Sequence, residues 1–267
     1  MPKLTEVKFM VLDTETTGAD PSKDKPIELA YVEVINFHIA YPKSWFIDPL
    51  TSIPPEASAI HHLTDEDIKG AKTFDQLWPE VEPDLKNQVI VAHNAQFDIS
   101  MLPPLKDNPV VCTLRLARHL WPKGTVNERG FPLVNHQQQT IRYWLGPKID
   151  TMGLAAHRAT ADILVTAELL NAQLRLYLDC GGEDDLDALI EFINTPIETK
   201  ALSFGKHANE PLHKVPSGYL EYLLDKDKEK PLDPDLKASL KRELDTRKAE
   251  TIVSTRTAPK QMDEVSK

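Results

Sequence analysis

Apolar residues in the first half of the chain come in short bursts separated by polar turns. Lys8-Phe9-Met10-Val11-Leu12 is such a run, closed by a polar stretch, and predicts a buried strand. Ile27–Phe37, rich in β-branched and aromatic residues, predicts a second strand, and Tyr41–Ile47 a third, paired with it as a hairpin. Asp65–Leu85 carries Phe74, Leu77, Trp78 and Val81 at helical spacing. Val89–Ala92 reads as another buried strand, Phe97–Leu102 as a short helix and Val110–Cys112 as a fifth strand. A helix through Leu114, Ala117 and Leu120 follows, then Gln137–Leu145 and Ala159–Leu178. Three early strands followed by βα alternation predict an α/β domain around a mixed, five-stranded sheet.

Gly181-Gly182 ends the long helix and opens a boundary. Asp184–Ile193 reads as one more helix. The organisation expected is a main domain over 1–180, a linker and helix over 181–202, a small module over 203–224 and a charged, partly disordered tail over 225–267. Alternating charges from Asp225 to Lys230 and a solvated helix from Leu232 to Glu250 characterise that tail.

Composition narrows the class. The chain has 267 residues and a net charge of −10. That charge excludes a nucleic-acid coat, which needs a basic footprint, but not an enzyme touching a few phosphates. No run approaches the ~20 apolar residues of a membrane span, and the first residues show no signal-peptide core. Cys112 and Cys180 are expected as buried small side chains in a reducing, cytoplasmic setting.

Three clusters carry chemistry. Asp13-Thr14-Glu15-Thr16-Thr17-Gly18 closes the first strand. Carboxylates at i and i+2 of a strand share a face, roughly 6.6 Å apart at the backbone. Their side chains can converge on cations spaced ~3.5–4 Å apart. An isolated D-x-E is otherwise an acidic turn. His93-Asn94-Ala95-Gln96-Phe97-Asp98 follows the buried strand Val89–Ala92, where loops often carry ligand contacts. His157-Arg158-Ala159-Thr160-Ala161-Asp162 spaces its His and Asp ~140° apart on one regular helix. His157 is therefore expected on a loop before the helix, where it can swing as a general base, with Asp162 in the first turns.

Together, D-x-E-T-T-G, H-N-A-x-F-D and H-x-A-x-x-D, in this order, resemble the DEDDh exonuclease family over about residues 6–178. The resemblance implies a ribonuclease H-like fold and 3′→5′ hydrolysis of a nucleic-acid end, releasing nucleoside 5′-monophosphates. It implies that Asp13, Glu15, Asp98 and Asp162 hold two Mg²⁺ or Mn²⁺ ions, Asp13 bridging both, with His157 as base. Glu15 and the backbone around Thr16 and Thr17 then meet the terminal 3′-hydroxyl. Thr14, Asn94 and Phe97 line the substrate, and His61, in Ile60-His61-His62-Leu63-Thr64, lines the terminal nucleotide's pocket. The family commonly has glycine where His62 stands.

Phe204-Gly205-Lys206-His207, Pro211-Leu212, Val215-Pro216 and Tyr219-Leu220 resemble the C-terminal module of exodeoxyribonuclease X-like proteins. There Asn209 takes a usual glycine position and Glu210 a frequent basic one. The expected partner is a single-stranded or frayed DNA 3′ end. RNA as substrate and a DNA polymerase or repair complex as partner stand as the alternatives.

Overall fold

The computed structural model describes residues 2–146, 149, 151, 153, 156–229 and 231–257, the last seven as backbone alone. Two compact units divide the chain, the first ending at Asn194 and the second beginning at Thr195.

In the first unit β1 (Phe9–Thr16) pairs antiparallel with β2 (Pro26–Ile35). β3 (His38–Ile39) folds back on β2 through Asn36 and Phe37, whose φ values of 49° and 63° give the primed turn suited to a two-residue hairpin. Phe37 is a poor residue for that conformation. Its ring lies beneath Arg175, and its carbonyl accepts from Asn171 at 3.0 Å. β4 (Lys43–Asp48) then pairs antiparallel with β2, as the hairpin expectation requires.

The sequence between β4 and the next long helix departs from expectation. A seven-residue helix α1 (Pro55–His61) appears there, and β5 (Lys72–Thr73) pairs parallel with β4. α2 spans Phe74–Leu85, not Asp65–Leu85. Gly70 at φ +80° stops any helix upstream, and the Gln76 side chain accepts from the Thr73 N–H at 3.0 Å to start the new one. β6 (Val89–Ala92), α3 (Ala95–Met101), β7 (Val110–Cys112) and α4 (Thr113–Leu120) follow. β6 pairs parallel with β1, and β7 with β6. The sheet order is β5-β4-β2-β1-β6-β7, with β3 beside β2. Seven strands therefore replace the expected five. The additional pair, β3 and β5, are two residues each, too short for a period-2 signal.

α5 (Gln138–Leu145), α6 (Ala159–Asp179) and α7 (Leu186–Asn194) complete the unit. α6 ends in a Schellman motif: the Gly182 N–H reaches the Tyr177 carbonyl, and the Gly181 N–H, at φ +88°, reaches Leu178. Cys180 at that end is exposed and Cys112 half-buried, against the expectation that both are interior.

Alternation along β1 decides the site. Phe9 and Val11 enter the core shared with α6, while Met10 and Leu12 enter the opposite core shared with α2 and α3. Carried two residues further, this pattern turns Asp13 and Glu15 toward α6 and Thr14 toward α3.

The second unit contains α8 (Ser217–Lys226) and α9 (Pro234–Thr257). Leu236, Leu240 and Leu244 of α9 are buried with Leu202, Leu212, Val215, Leu220 and Leu223. The helix expected to be solvated thus has one apolar stripe at i, i+4 and i+8, hidden in the sequence by the surrounding charges. Asn209 does take φ +66°, and Glu210 faces the His207 ring at 2.9 Å. The residues expected to be disordered after 257 lie outside the described ones. Among the described residues, no helix is long and apolar enough to cross a membrane.

Candidate active site

Asp13, Glu15 and Asp162 each offer a carboxylate oxygen within 4.8 Å of the others. β1 supplies the first two on one face, and the first turn of α6, packed across that face, supplies the third. Asp98 reaches the group from the other side of β1. Its Oδ1 accepts from the Thr14 N–H at 3.1 Å and from the Thr14 hydroxyl at 3.0 Å. It is 3% exposed, and its charge acts on Asp13. One strand therefore gathers all four acids, two by its own side chains and two by what packs on its faces.

Packing these carboxylates together is unfavourable without a counter-charge. Burial, then the charges of Asp98, Glu15 and Asp162, push Asp13 well above the usual carboxylate range. Burial, then Asp162 and Glu28, raise Glu15 to about 8. Burial raises Asp98 to about 7 against the opposing Thr14 bonds. Asp162 is also raised by burial, and the bond from the His157 backbone opposes that shift. Hard oxygen donors that repel one another at one point suit divalent cations of the Mg²⁺ or Mn²⁺ class.

Asp162 is fixed through both oxygens. Oδ2 accepts from the His157 backbone N–H at 2.9 Å and Oδ1 from Gln139 Nε2 at 3.0 Å. Arg142 donates to Gln139 Oε1 at 3.2 Å, which orients the amide with its NH₂ toward the carboxylate. His157 stands exposed on the turn before α6, at φ 61°. Such a conformation is costly for a non-glycine residue and persists where its surroundings fix it.

Its neighbour Arg158 provides that constraint. Arg158 makes a two-pronged ion pair with Glu28, Nε to Oε2 at 3.2 Å and Nη2 to Oε1 at 3.3 Å. Glu28 is 2% exposed and also accepts from the Ala159 N–H at 3.3 Å. Glu28 and Glu15 are direct partners across β1 and β2. Glu28, Gln139 and Arg142 do not figure in the sequence motifs, and Arg158 stands at an unspecified position of the third. Glu28 leaves a trace as the single charge inside Pro26-Ile27-Glu28-Leu29-Ala30.

Asp13, Asn94, His157 and Asp162 line one cavity of about 810 Å³. Asn94, at φ 73°, opens α3, and Phe97 is half-buried one turn on. The three threonine hydroxyls are engaged internally: Thr14 with Asp98, Thr16 with the Gly18 carbonyl at 2.7 Å, and Thr17 with Asp24 at 3.4 Å. His61 is 2% exposed, accepts from the Leu63 N–H at 3.0 Å, and lies near the Thr16 backbone, away from that cavity's lining. His93 bridges Thr113 at 3.0 Å and the His136 carbonyl at 2.9 Å, and burial lowers it to about 4. It is a neutral strut joining the end of β6 to the segment before α5.

The sequence profile of the RNase T exonuclease family matches residues 10–170. Exodeoxyribonuclease 10 of Escherichia coli (strain K12) is 28% identical over 240 residues, 88% of this chain and 98% of that protein. DNA polymerase III PolC-type of Clostridium perfringens is 29% identical over 215 residues, 78% of this chain, which spans only 13% of the polymerase. Among solved structures, exonuclease X in complex with 5′ overhanging duplex DNA superposes with a TM-score of 0.57 at 27% identity, covering 70% of this chain and 99% of the other. An E. coli exonuclease I complex with single-stranded DNA, 19% identical with a TM-score of 0.54, shares the fold. With a profile match over more than half of its length, the chain belongs to the RNase T family of exonucleases, the DEDDh group, and is similar there to exodeoxyribonuclease X.

Proposed function

We propose that the protein removes nucleotides one at a time from the 3′ end of DNA and releases nucleoside 5′-monophosphates. The observation that carries this reading is the convergence of the Asp13, Glu15 and Asp162 oxygens, two of whose residues, Asp13 and Asp162, line one cavity with the exposed His157. DNA as substrate draws on the likeness to exodeoxyribonuclease 10 along nearly all of that protein.

In this reading Asp13, Glu15, Asp98 and Asp162 would hold two divalent cations, Mg²⁺ or Mn²⁺. When bound, these supply Lewis acidity and offset the charge that builds on the phosphate. His157 takes the proton of the attacking water, for which its exposed ring on a fixed turn is suited. Glu15 and the backbone at Thr16 and Thr17 receive the terminal 3′-hydroxyl. Asn94 and Phe97 seat the last nucleotide. Thr14 acts indirectly, by aiming Asp98.

The test is digestion of 5′-labelled single strands of DNA and RNA, each with a free or a blocked 3′ end, in Mg²⁺ and in Mn²⁺. A ladder shortening from the free 3′ end of DNA is expected. Internal cuts, or equal digestion of blocked strands, would overturn the polarity. Faster digestion of RNA would overturn the substrate.

A further inference from the structure

The cavity lined by Asp13, His157 and Asp162 is also lined by two cations, Arg118 and Lys123, and by the apolar Leu114. Leu114 and Arg118 are one turn apart on α4 and so share a face. The neighbouring face of α4 is anchored differently. Arg115 and His119 reach the Ile193 carbonyl at 2.9 and 3.3 Å. Arg118 is half-buried, and no described residue accepts a hydrogen bond from its guanidinium or forms an ion pair with it.

Its charge is felt at the neutral ring of His93, which lines the same cavity. The lining of one cavity therefore includes two carboxylates and a guanidinium that makes no ion pair with a described residue. A guanidinium fork without a carboxylate matches a phosphate.

We propose that Arg118 is a phosphate seat for the substrate strand, holding a backbone phosphate on the 5′ side of the bond being cut, with Lys123 as a weaker contact at the exposed rim. This rests on the 3′→5′ reading of the site. The direction follows from the chemistry of an end. The terminal nucleotide is joined to the strand by the scissile phosphate alone, so every further phosphate entering the cavity lies 5′ of it.

The experiment measures binding separately from hydrolysis. A 5′-fluorescein-labelled eight-nucleotide DNA strand is titrated in Ca²⁺ across a range of salt. Wild type, Arg118→Ala, Arg118→Gln and Arg118→Lys are compared, with melting curves to confirm folding. The strand is also made with one neutral methylphosphonate at each of the first three linkages 5′ of the last phosphodiester. Arg118→Ala and Arg118→Gln should bind roughly five- to tenfold more weakly, with a salt slope smaller by about 1, and Arg118→Lys should restore the slope. In wild type, one methylphosphonate position should weaken binding by a similar factor, and in Arg118→Ala that position should cost nothing more. An unchanged salt slope in Arg118→Ala overturns the seat, as does a methylphosphonate penalty that is the same in both proteins at every position. An Arg118-dependent slope with no 3′ shortening in Mg²⁺ would support the phosphate contact and remove the exonuclease reading instead.

Discussion

Asp162 and His157 are five residues apart, and the geometry between them separates two jobs. The His157 backbone N–H holds Asp162 Oδ2, while the imidazole remains exposed. The ring is thus free to move without loosening the carboxylate, which Gln139 grips on its other oxygen. In His157→Ala the backbone bond survives. Metal affinity should remain within a few-fold of wild type, while the single-turnover rate falls by ~10²–10⁴. Metal titration beside single-turnover kinetics decides this. A loss lying wholly in metal affinity would make His157 a ligand.

At the scale of elements, the site is a meeting of β1, β2, α3 and the start of α6, and the Glu28–Arg158 pair joins β2 to α6. Breaking it leaves a partly buried guanidinium without its fork partner. Glu28→Gln should lower the melting temperature and also reduce kcat about tenfold with KM little changed, because the His157 turn loses its tether. Full kcat well below the melting temperature would reduce the pair to a structural role. Arg158→Lys should not restore activity, since a lysine cannot reproduce the two-pronged contact. This pair also shows where the sequence stops being readable. β1 was legible because a short apolar run leads directly into the D-x-E, and α6 because a long apolar segment ends in glycines. Glu28 and Arg158 are 130 positions apart, so neither predicts the other. β3, β5 and α1 are too short to show periodicity. The α9 stripe is three leucines among lysines, arginines and glutamates, and only packing distinguishes it from a solvated helix. The same burial changes what truncation does. Deleting residues after Asp225 removes Leu236, Leu240 and Leu244 from the second unit's core. Loss of one buried leucine typically costs about 2–5 kcal/mol, so that unit should unfold. The carboxylates all lie in the first unit, and hydrolysis of short strands should persist. Protease digestion of the truncated chain checks both: a stable, active fragment ending near Asn194 is expected, and an inactive one would show that the first unit needs the second.

For the molecule as a whole, four crowded acids make stability depend on pH and on metal. Glu15 is raised to about 8, Asp98 to about 7, and Asp13 and Asp162 are raised as well. Between the ordinary carboxylate range and those values the folded protein holds protons that the unfolded chain has released. Linkage then fixes the sign: with metal removed, stability falls as pH rises from about 4 through about 8. A cation binding only the folded state reverses this, adding about 2.7 kcal/mol at 100 times its Kd and expelling the retained protons. Asp13→Asn removes the charge on which the other acids converge. In chelator at pH 8 it should therefore melt above wild type, by less at pH 5, and gain much less from Mg²⁺ or Mn²⁺. Melting curves of both proteins, with chelator and with metal at each pH, measure all of these effects, and titration in two buffers of different ionisation enthalpy counts the protons released. Equal metal shifts in the two proteins would place Asp13 outside the metal site. A chelated wild type that becomes more stable toward pH 8 would show that the four acids are not crowded in the folded state.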